Sequence, residues 1–310
     1  MEDSIFPRVP VGDWAESVMD WLTTNASGLF DGISAVIGWL VESLNSVLLA
    51  PSPLVIILIV AVLAWLVRSW QFALATALGF ALVASMSQWE SAMLTLSLVV
   101  IAAGVAVAIA VPIGIAAARS DGVSATVKPL LDFMQTMPAF VYLIPAIIFF
   151  SVGAVPGVFA TVIFSLPPGV RFTELGIRQV DSETVEAGAA FGATPGQILR
   201  GIQLPLATPT IMAGINQVIM LALSMVVIAG MVGADGLGKE VVSAIATLNI
   251  PKGVEAGLGV VVLAIFLDRL TAALGNPGDY PSSLYRIVRT RTARSRQPSG
   301  SDQNPVAAQR

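Results

Sequence analysis

One segment of this 310-residue chain has the spacing of a nucleotide-binding loop. Residues 233–239 read GADGLGK, which matches the glycines and the lysine of the G-x-x-x-x-G-K loop that cradles phosphates. The next residue is Glu240, where that motif needs Ser or Thr to reach a magnesium ion. The segment also follows an apolar run rather than a strand. We therefore interpret it as a turn after a membrane helix and expect no nucleotide to bind there.

The side chains that most often carry acid–base, thiol or metal chemistry are missing. The chain contains no Cys and no His, which removes disulfides, thiolate ligands and the commonest metal ligand and general base. We therefore expect no catalytic residue, no metal site and no cofactor bound by this chain. The chain is predicted not to be an enzyme.

A polar segment in the second half of the chain has the signals of a short helix. Residues 186–206 read EAGAAFGATPGQILRGIQLPL and are only moderately apolar. Asp181 or Ser182 can cap the first helix, and Gly192 can end it in a left-handed turn. Glu186 offers a charge to a basic group on another surface.

A second short helix is predicted directly afterwards. Thr194 can cap it with Pro195 at its first position, and Pro205 is expected to stop it. The first helix carries nothing larger than a methyl group between Ala187 and Ala190, so another surface can approach it closely.

The rest of the chain has the composition of a membrane protein. It is 55% hydrophobic and 12% charged, with a mean hydropathy of +0.83, whereas soluble domains are about 25% charged. An all-α, polytopic membrane protein of about seven transmembrane helices is predicted, because a span needs roughly 20 apolar residues. The predicted spans are 53–68, 70–87, 91–118, 137–153, 155–171, 207–232 and 254–275. Prolines interrupt the fourth and fifth, as is tolerated in helices that line a cavity or are buried in protein.

The region before these spans is amphipathic. Residues 11–49 repeat apolar side chains at helical spacing, and they either pack on the protein or lie in the membrane interface. Both alternatives place this segment outside the hydrocarbon core. No basic stretch precedes an apolar run, so we expect no cleavable signal peptide.

The basic residues predict the orientation. With seven spans and the C-terminus inside, all but three of the 16 Lys and Arg residues lie on the inner side, and Arg8, Lys239 and Lys252 lie outside. The N-terminus is therefore predicted outside, and the 172–206 segment faces the cytoplasm of a multi-pass cell-membrane protein. The tail, 276–310, is basic and predicted to be disordered. Its arginines are a topological signal or, alternatively, a contact to anionic lipid that senses ionic strength.

The 181–205 segment resembles the EAA loop of ABC importer permeases. The residues that carry the resemblance are Glu186, Ala187, Gly188, Gly192, Ile202, Leu204 and Pro205. Gly188 departs from the family pattern, which usually has Ala there, and this loosens the helix by up to ~1 kcal/mol. The resemblance implies that this loop docks into a groove of a separate ATPase.

Further segments resemble the glycine betaine/proline betaine permease subfamily, including LLDFMQTMPAFVYLIPAIIFF (130–150) and LPLATPTIMAGINQVIMLALSMVVIAGMVGADGLG (204–238). The resemblance implies the permease subunit of an ATP-driven importer for quaternary ammonium osmolytes. It also implies two ATPase subunits that bind the ATP, a second permease subunit, expected to be a copy of this chain, and an extracytoplasmic binding protein. Nucleic acid is not an expected partner.

Four regions are predicted on this basis. They are an extracytoplasmic segment with an amphipathic helix (1–50), a two-helix peripheral membrane segment (51–88), the transporter core with its coupling loop (89–275) and the tail (276–310).

Polar and aromatic side chains in the spans are candidates for the translocation path. Asn216, Gln217, Met220 and Ser224 fall on or beside one face of the sixth span, where they either bond to neighbouring helices or line a path. Phe140 and Tyr142 lie beside the broken fourth span and could contact a passing cation weakly. All six Trp precede or begin the third span, so a tight aromatic cage on the path is not expected.

Other functions fit the residues less well. An ABC permease for choline or carnitine is the nearest alternative. An ion-coupled secondary transporter would need ionisable residues inside the spans, and the apolar runs have almost none away from their ends. A membrane-embedded enzyme is disfavoured because the chain lacks His and Cys.

Overall fold

The computed structural model describes residues 9–275, and over that range the chain forms helices and turns without a strand, as predicted. The tail predictions lie outside the described residues. In chain order the α-helices are α1 Val11–Asn25, α2 Ser27–Leu49, α3 Pro53–Val67, α4 Trp70–Ser85, α5 Trp89–Arg119, α6 Asp121–Thr136, α7 Leu143–Phe150, α8 Ala154–Arg178, α9 Ser182–Ala190, α10 Pro195–Ile198, α11 Leu204–Ser224, α12 Val226–Met231, α13 Leu237–Ala246 and α14 Ile250–Gly275. A short 3₁₀ helix, Ala139–Tyr142, precedes α7, and a π-helical turn, Leu199–Gln203, precedes α11.

Every predicted span is helical, but the lengths differ from the prediction. Within the described range five helices are long and apolar enough to cross a membrane: α2, α5, α8, the continuous 195–231 helix and α14. The predicted fourth span is a broken pair, in which α6 and the 139–150 segment meet at 105° and together can make a sixth span. The first two predicted spans, α3 and α4, have 15 and 16 residues and are therefore short.

The N-terminal helices correct one prediction. The predicted amphipathic segment breaks at Ala26 into α1 and α2, and α2 alone is 23 residues long with a mean hydropathy of 1.5. By length and composition α2 can cross a membrane, so its expected place outside the hydrocarbon core is not supported. The reason is that the acidic residues concentrate on α1, which leaves few charges on α2. Ile37 and Val41 of α2 are buried against the bundle.

The centre of the molecule is the packing of α5, α8 and α11. Small residues let these helices approach closely, as is usual in membranes, where association depends on close contact. A Cβ added at Gly114 of α5 would lie 2.5 Å from Thr173 Cβ of α8, and one at Gly169 would lie 2.7 Å from Ala110 Cβ. Two prolines inside α8, Pro167 and Pro168, are fully enclosed by this packing. The centre of the bundle therefore holds a proline-interrupted helix in place.

A peripheral pair of helices packs on α14. The helices α3 and α4 contact each other along their length, and Phe80 of α4 meets Phe266 of α14 edge to face at 5.3 Å. The outer side of this pair is apolar and exposed in the single chain, with Leu54 at 78% and Leu58 at 65%. An extended apolar exterior of this kind is typical of a lipid-facing surface.

Candidate functional site

The 181–205 loop begins with a well-formed cap. The Asp181 carboxylate accepts hydrogen bonds from the Thr184 hydroxyl at 2.9 Å, the Thr184 amide at 3.2 Å and the Glu183 amide at 3.4 Å. The bonds from Thr184 hold the pKa of Asp181 below its usual value. The carboxylate thus stays charged at the positive end of α9, which fixes where the helix starts. Of the two predicted caps, Asp181 is confirmed.

The end of α9 is fixed by a glycine. Gly192 has φ +81°, the left-handed conformation in which a side chain is strained. The Gly192 amide bonds to the Ala189 carbonyl at 2.9 Å, and the Ala193 amide bonds to the Gly188 carbonyl at 3.1 Å. This pair of bonds is the Schellman motif, which satisfies the free carbonyls at a helix end. The predicted left-handed turn at Gly192 is confirmed.

The second helix starts as predicted but does not end as predicted. Thr194 and Gln197 form a reciprocal capping box with Pro195 at the first turn of α10. The expected stop at Pro205 is wrong, since the chain continues through the π-helical turn at 199–203 into α11. In that turn the Leu204 amide bonds to the Leu199 carbonyl five residues earlier. This wider turn lies immediately before Pro205 and accommodates its missing N–H, so the loop is joined rigidly to a span.

One face of α9 is exposed and the other packs on the returning chain. Glu186 and Ala187 are exposed, whereas Gly188 is half-buried. A Cβ at Gly188 would lie 2.6 Å from Ile202 Cδ1, so the departure from the family pattern brings the two halves of the loop together. Ile202 and Leu204 are half-buried beside the buried Leu199, whereas Pro205 is exposed. The loop therefore forms a small folded unit with one free face.

Sequence reasoning missed Phe191. Its side chain is 92% exposed at the C-terminal end of α9, directly before Gly192. A large apolar side chain held in the open by a helix cap is typical of a contact residue. The signal was its isolation, because Phe191 is the one aromatic residue between 181 and 205.

The candidate path aromatics have opposite environments. Tyr142 is buried at 7% exposure, and its hydroxyl donates to the Met134 carbonyl of α6. Phe140 is 53% exposed in the single chain and lies in the 3₁₀ helix at the bend between α6 and α7. Tyr142 thus holds the bend, and Phe140 remains a candidate for contact with a passing molecule.

The candidate path residues on α11 fall into two groups, one bonded to α14 and one exposed. Asn216 Nδ2 donates to Asp268 Oδ1 of α14 at 2.9 Å, and the Thr271 hydroxyl donates to Asn216 Oδ1 at 2.6 Å. These bonds join α11 to α14. Gln217, Met220 and Ser224 share an exposed face of α11, and the Ser224 hydroxyl donates to the Met220 carbonyl of its own helix. The structure does not bring Asn216 and this exposed face to one place.

Four phenylalanine rings near the broken span pack against one another. The rings of Phe30 and Phe149 stack at 4.2 Å between centroids, and those of Phe150 and Phe159 lie at 4.9 Å. The four rings pack α2 and α8 against α7, so they are not available as a cage for a cation.

The GADGLGK segment is a packed turn between α12 and α13. Gly233 and Gly236 have φ of +90° and +131°, and a Cβ at Gly238 would lie 2.0 Å from the Val226 carbonyl oxygen. The Leu237 amide donates to Thr95 Oγ1 of α5 at 2.8 Å. The glycines therefore serve the backbone packing of this turn. Within the described range no cluster of three acidic side chains is placed to hold a metal ion.

These features define a class: a helical, multi-pass membrane protein in which a small folded loop lies between two central helices and continues into the second of them. Comparison with known families agrees. The model of the family described as "Binding-protein-dependent transport system inner membrane component" matches residues 110–276. The chain belongs to this family of ABC transporter permeases.

The relatives are similar over most of the chain. It is 49% identical to the glycine betaine transport system permease protein OpuAB of Bacillus subtilis (strain 168), over 86% of this chain and 94% of that protein. It is 48% identical to the glycine betaine/carnitine transport permease protein GbuB of Listeria monocytogenes serotype 1/2a (strain 10403S), over 86% of this chain and 96% of that protein. It is 43% identical to the glycine betaine/proline betaine transport system permease protein ProW of Escherichia coli (strain K12), over 86% of this chain and 75% of that protein.

A solved structure has the same fold. An inward-facing form of the MetNI methionine ABC transporter aligns with a TM-score of 0.53 and 22% identity, over 66% of this chain and 95% of that chain. At this identity the likeness concerns the fold alone.

Proposed function

We propose that this chain is the membrane-spanning permease subunit of an ATP-driven importer for glycine betaine, proline betaine or related quaternary ammonium osmolytes. The observation that carries the proposal is the similarity to betaine permeases, 43–49% identical over 86% of the chain. A second copy of the chain, two ATPase subunits and an extracytoplasmic binding protein complete the importer. ATP binds to the ATPase subunits.

The 181–205 loop is the ATPase contact in this proposal. Its free face presents Glu186 and Ala187, and Phe191 stands at the end of α9. A protruding aromatic side chain on a small, capped helix fits a complementary groove and contributes much of the binding energy at such contacts. Because the loop continues without a break into α11, movement of the ATPase passes directly to a span.

The orientation follows from the excess of basic residues on the side of this loop. It places the loop in the cytoplasm, where ATP is, and the α13–α14 turn outside, where the binding protein docks. It also leaves the outer side with only two basic residues in the described range, Lys239 and Lys252.

High-affinity recognition belongs to the binding protein. A quaternary ammonium group has no N–H to donate and is usually held by aromatic faces. Tyr142 is buried, the four Phe rings near α7 pack against one another, and Phe140 remains for a weak contact. Together with the exposed face formed by Gln217, Met220 and Ser224, it would line a path completed by the second copy.

The alternatives differ in substrate or energy source. Carnitine is supported by the relative GbuB, whose name includes it, and choline shares the trimethylammonium group. Ion-coupled transport has less support, because the Asp268 carboxylate near the end of α14 is already engaged by Asn216 and Arg269.

Two measurements test the proposal. Calorimetry on the purified permease should detect no binding of glycine betaine at micromolar ligand. Uptake of radiolabelled glycine betaine into proteoliposomes should require the ATPase, ATP and the binding protein together. Micromolar binding by the permease alone would contradict the division of labour, and uptake driven by an ion gradient without ATP would contradict the proposed class.

A further inference from the structure

A buried carboxylate lies one turn before the end of α8, the helix that leads into the 181–205 loop. Glu174 of α8 is 6% exposed, and a charge in such a place is costly unless it is paired. Its Oε1 accepts a hydrogen bond from the Ser124 hydroxyl at 2.7 Å and lies 3.4 Å from Lys128 Nζ. Both partners belong to α6. The carboxylate therefore ties α8 to α6.

Arg178 extends this cluster to α5. Its Nε lies 3.0 Å from Glu174 Oε1, and its NH2 nitrogen donates to Asp121 Oδ1 at 2.7 Å and to the Ala117 carbonyl at 2.9 Å. One guanidinium thus bridges the end of α5, the start of α6 and the last turn of α8. Arginine suits this role, because its planar group offers several donors in fixed directions.

The opposite side of the same turn contacts the loop. Ile177 is 2% exposed and packs in an apolar cluster with Leu199 and Ala207, with Leu204 at its edge. Gly176 brings α8 close to α11, since a Cβ there would lie 3.0 Å from Thr210 Cβ. The last turn of α8 is therefore held by the loop on one side and by α6 on the other.

The helix α6 leads to the broken span. It runs from the cluster to residue 136 and meets the 139–150 segment at 105°. Tyr142 bonds back to Met134 of α6, so the bend moves with α6. Phe140, the exposed candidate of the path, lies within this bend.

We propose that Glu174 is a positioning residue that transmits movement of the 181–205 loop to α6 and the broken span. This inference rests on the proposed function. Since the Glu174 carboxylate is buried, with its side chain 8% exposed, and its partners lie on α6 and in the last turn of α8, displacement of that turn must carry α6 with it or leave the carboxylate without its partners.

A second ion pair between the same helices provides a matched control. Arg171 of α8 contacts Asp132 of α6, but the two side chains are 41% and 64% exposed. Exposed pairs contribute little, whereas loss of one partner from a buried pair is costly. Glu174→Gln and Asp132→Asn each replace a carboxylate by the corresponding amide, the first at the buried position and the second at the exposed one.

The experiment measures the ratio of ATP hydrolysed to glycine betaine transported by the complete importer in proteoliposomes. Glu174→Gln should lower transport at least about tenfold while ATP hydrolysis falls much less, because the buried carboxylate that pairs with both α6 and the last turn of α8 is lost. Asp132→Asn should leave both rates within about twofold. A merely structural role would lower both rates in proportion and leave the ratio unchanged, which would overturn the inference.

A milder variant tests the inference if the Glu174→Gln permease does not assemble with its partners. Ser124→Ala removes one hydrogen bond from the carboxylate and keeps every charge, and it should raise the ratio in the same direction by a smaller factor. An unchanged ratio in Ser124→Ala would overturn the inference in that case. Absence of ATP-driven uptake by the unmodified importer would instead contradict the proposed function, so the two failures are distinguishable.

Discussion

The 181–205 loop and the candidate translocation path differ in how their residues are held. In the loop, neighbours in sequence fix each functional position: Asp181 caps α9, and Gly192 ends it. In the path, the candidates lie on different helices and are oriented by distant partners, as Asn216 is by Asp268. The loop forms its own folded unit within one chain, whereas the face of α11 with Gln217, Met220 and Ser224 is exposed in the single chain.

This difference implies different sensitivities to substitution. A change in the loop alters a local backbone structure on which the proposed contact with the ATPase depends. A change on the path alters either the packing of two helices or an open surface. Substitutions in the two regions should therefore separate loss of coupling from loss of stability and from changes in transport rate.

The largest effect is expected for Gly192→Val. A β-branched side chain at φ +81° costs about 1–3 kcal/mol and disrupts the end of α9, so uptake should be abolished while membrane insertion is retained. Gly196 is a matched control in the same loop, because a Cβ there meets nothing within 4 Å and no positive φ is recorded. Normal uptake by Gly192→Val would contradict the requirement for a left-handed residue at the end of α9. An equal loss of uptake in Gly196→Ala would show that the loop is sensitive to any added side chain.

A somewhat smaller effect is expected for Phe191→Ala. Removal of a central aromatic contact costs about 2 kcal/mol, or about thirtyfold in affinity for the ATPase. Folding of the permease should be unaffected, because the side chain is 92% exposed. Binding of the purified ATPase to the permease in nanodiscs provides the measurement, and Phe191→Leu should recover most of the affinity. Unchanged binding of Phe191→Ala would show that the contact lies elsewhere on the loop.

The smallest effects distinguish two neighbours on α11. Asn216→Ala removes the hydrogen bonds to Asp268 and Thr271 and should cost about 1–2 kcal/mol of stability, read as a lower unfolding temperature in detergent. Gln217→Ala should leave that temperature unchanged and alter only the transport rate, because Gln217 is exposed in the single chain. The reverse pattern would place Asn216 on the path and Gln217 in the packing.

Local signals account for what could be predicted. Helix caps, a left-handed glycine and apolar run lengths depend on a few adjacent residues, so both ends of α9, the start of α10 and the helical spans followed from the sequence. The continuation through Pro205 did not, because a π-helical turn before the proline accommodates it. The burial of Tyr142 depends on packing between distant segments, which periodicity does not encode. The importance of Glu174 likewise appears only when α6 and α8 lie side by side.

The most direct test of the central claim uses the lack of native cysteine. A single Ala190→Cys variant, exposed beside Phe191 and expressed with its ATPase, should be protected from an impermeant maleimide in intact cells. It should react after permeabilisation and cross-link to the ATPase with a short bifunctional reagent, whereas Ser91→Cys should react from outside. Reaction of Ala190→Cys from outside intact cells, or no cross-link to the ATPase in the permeabilised membranes, would contradict the assignment of the 181–205 loop as the point of coupling.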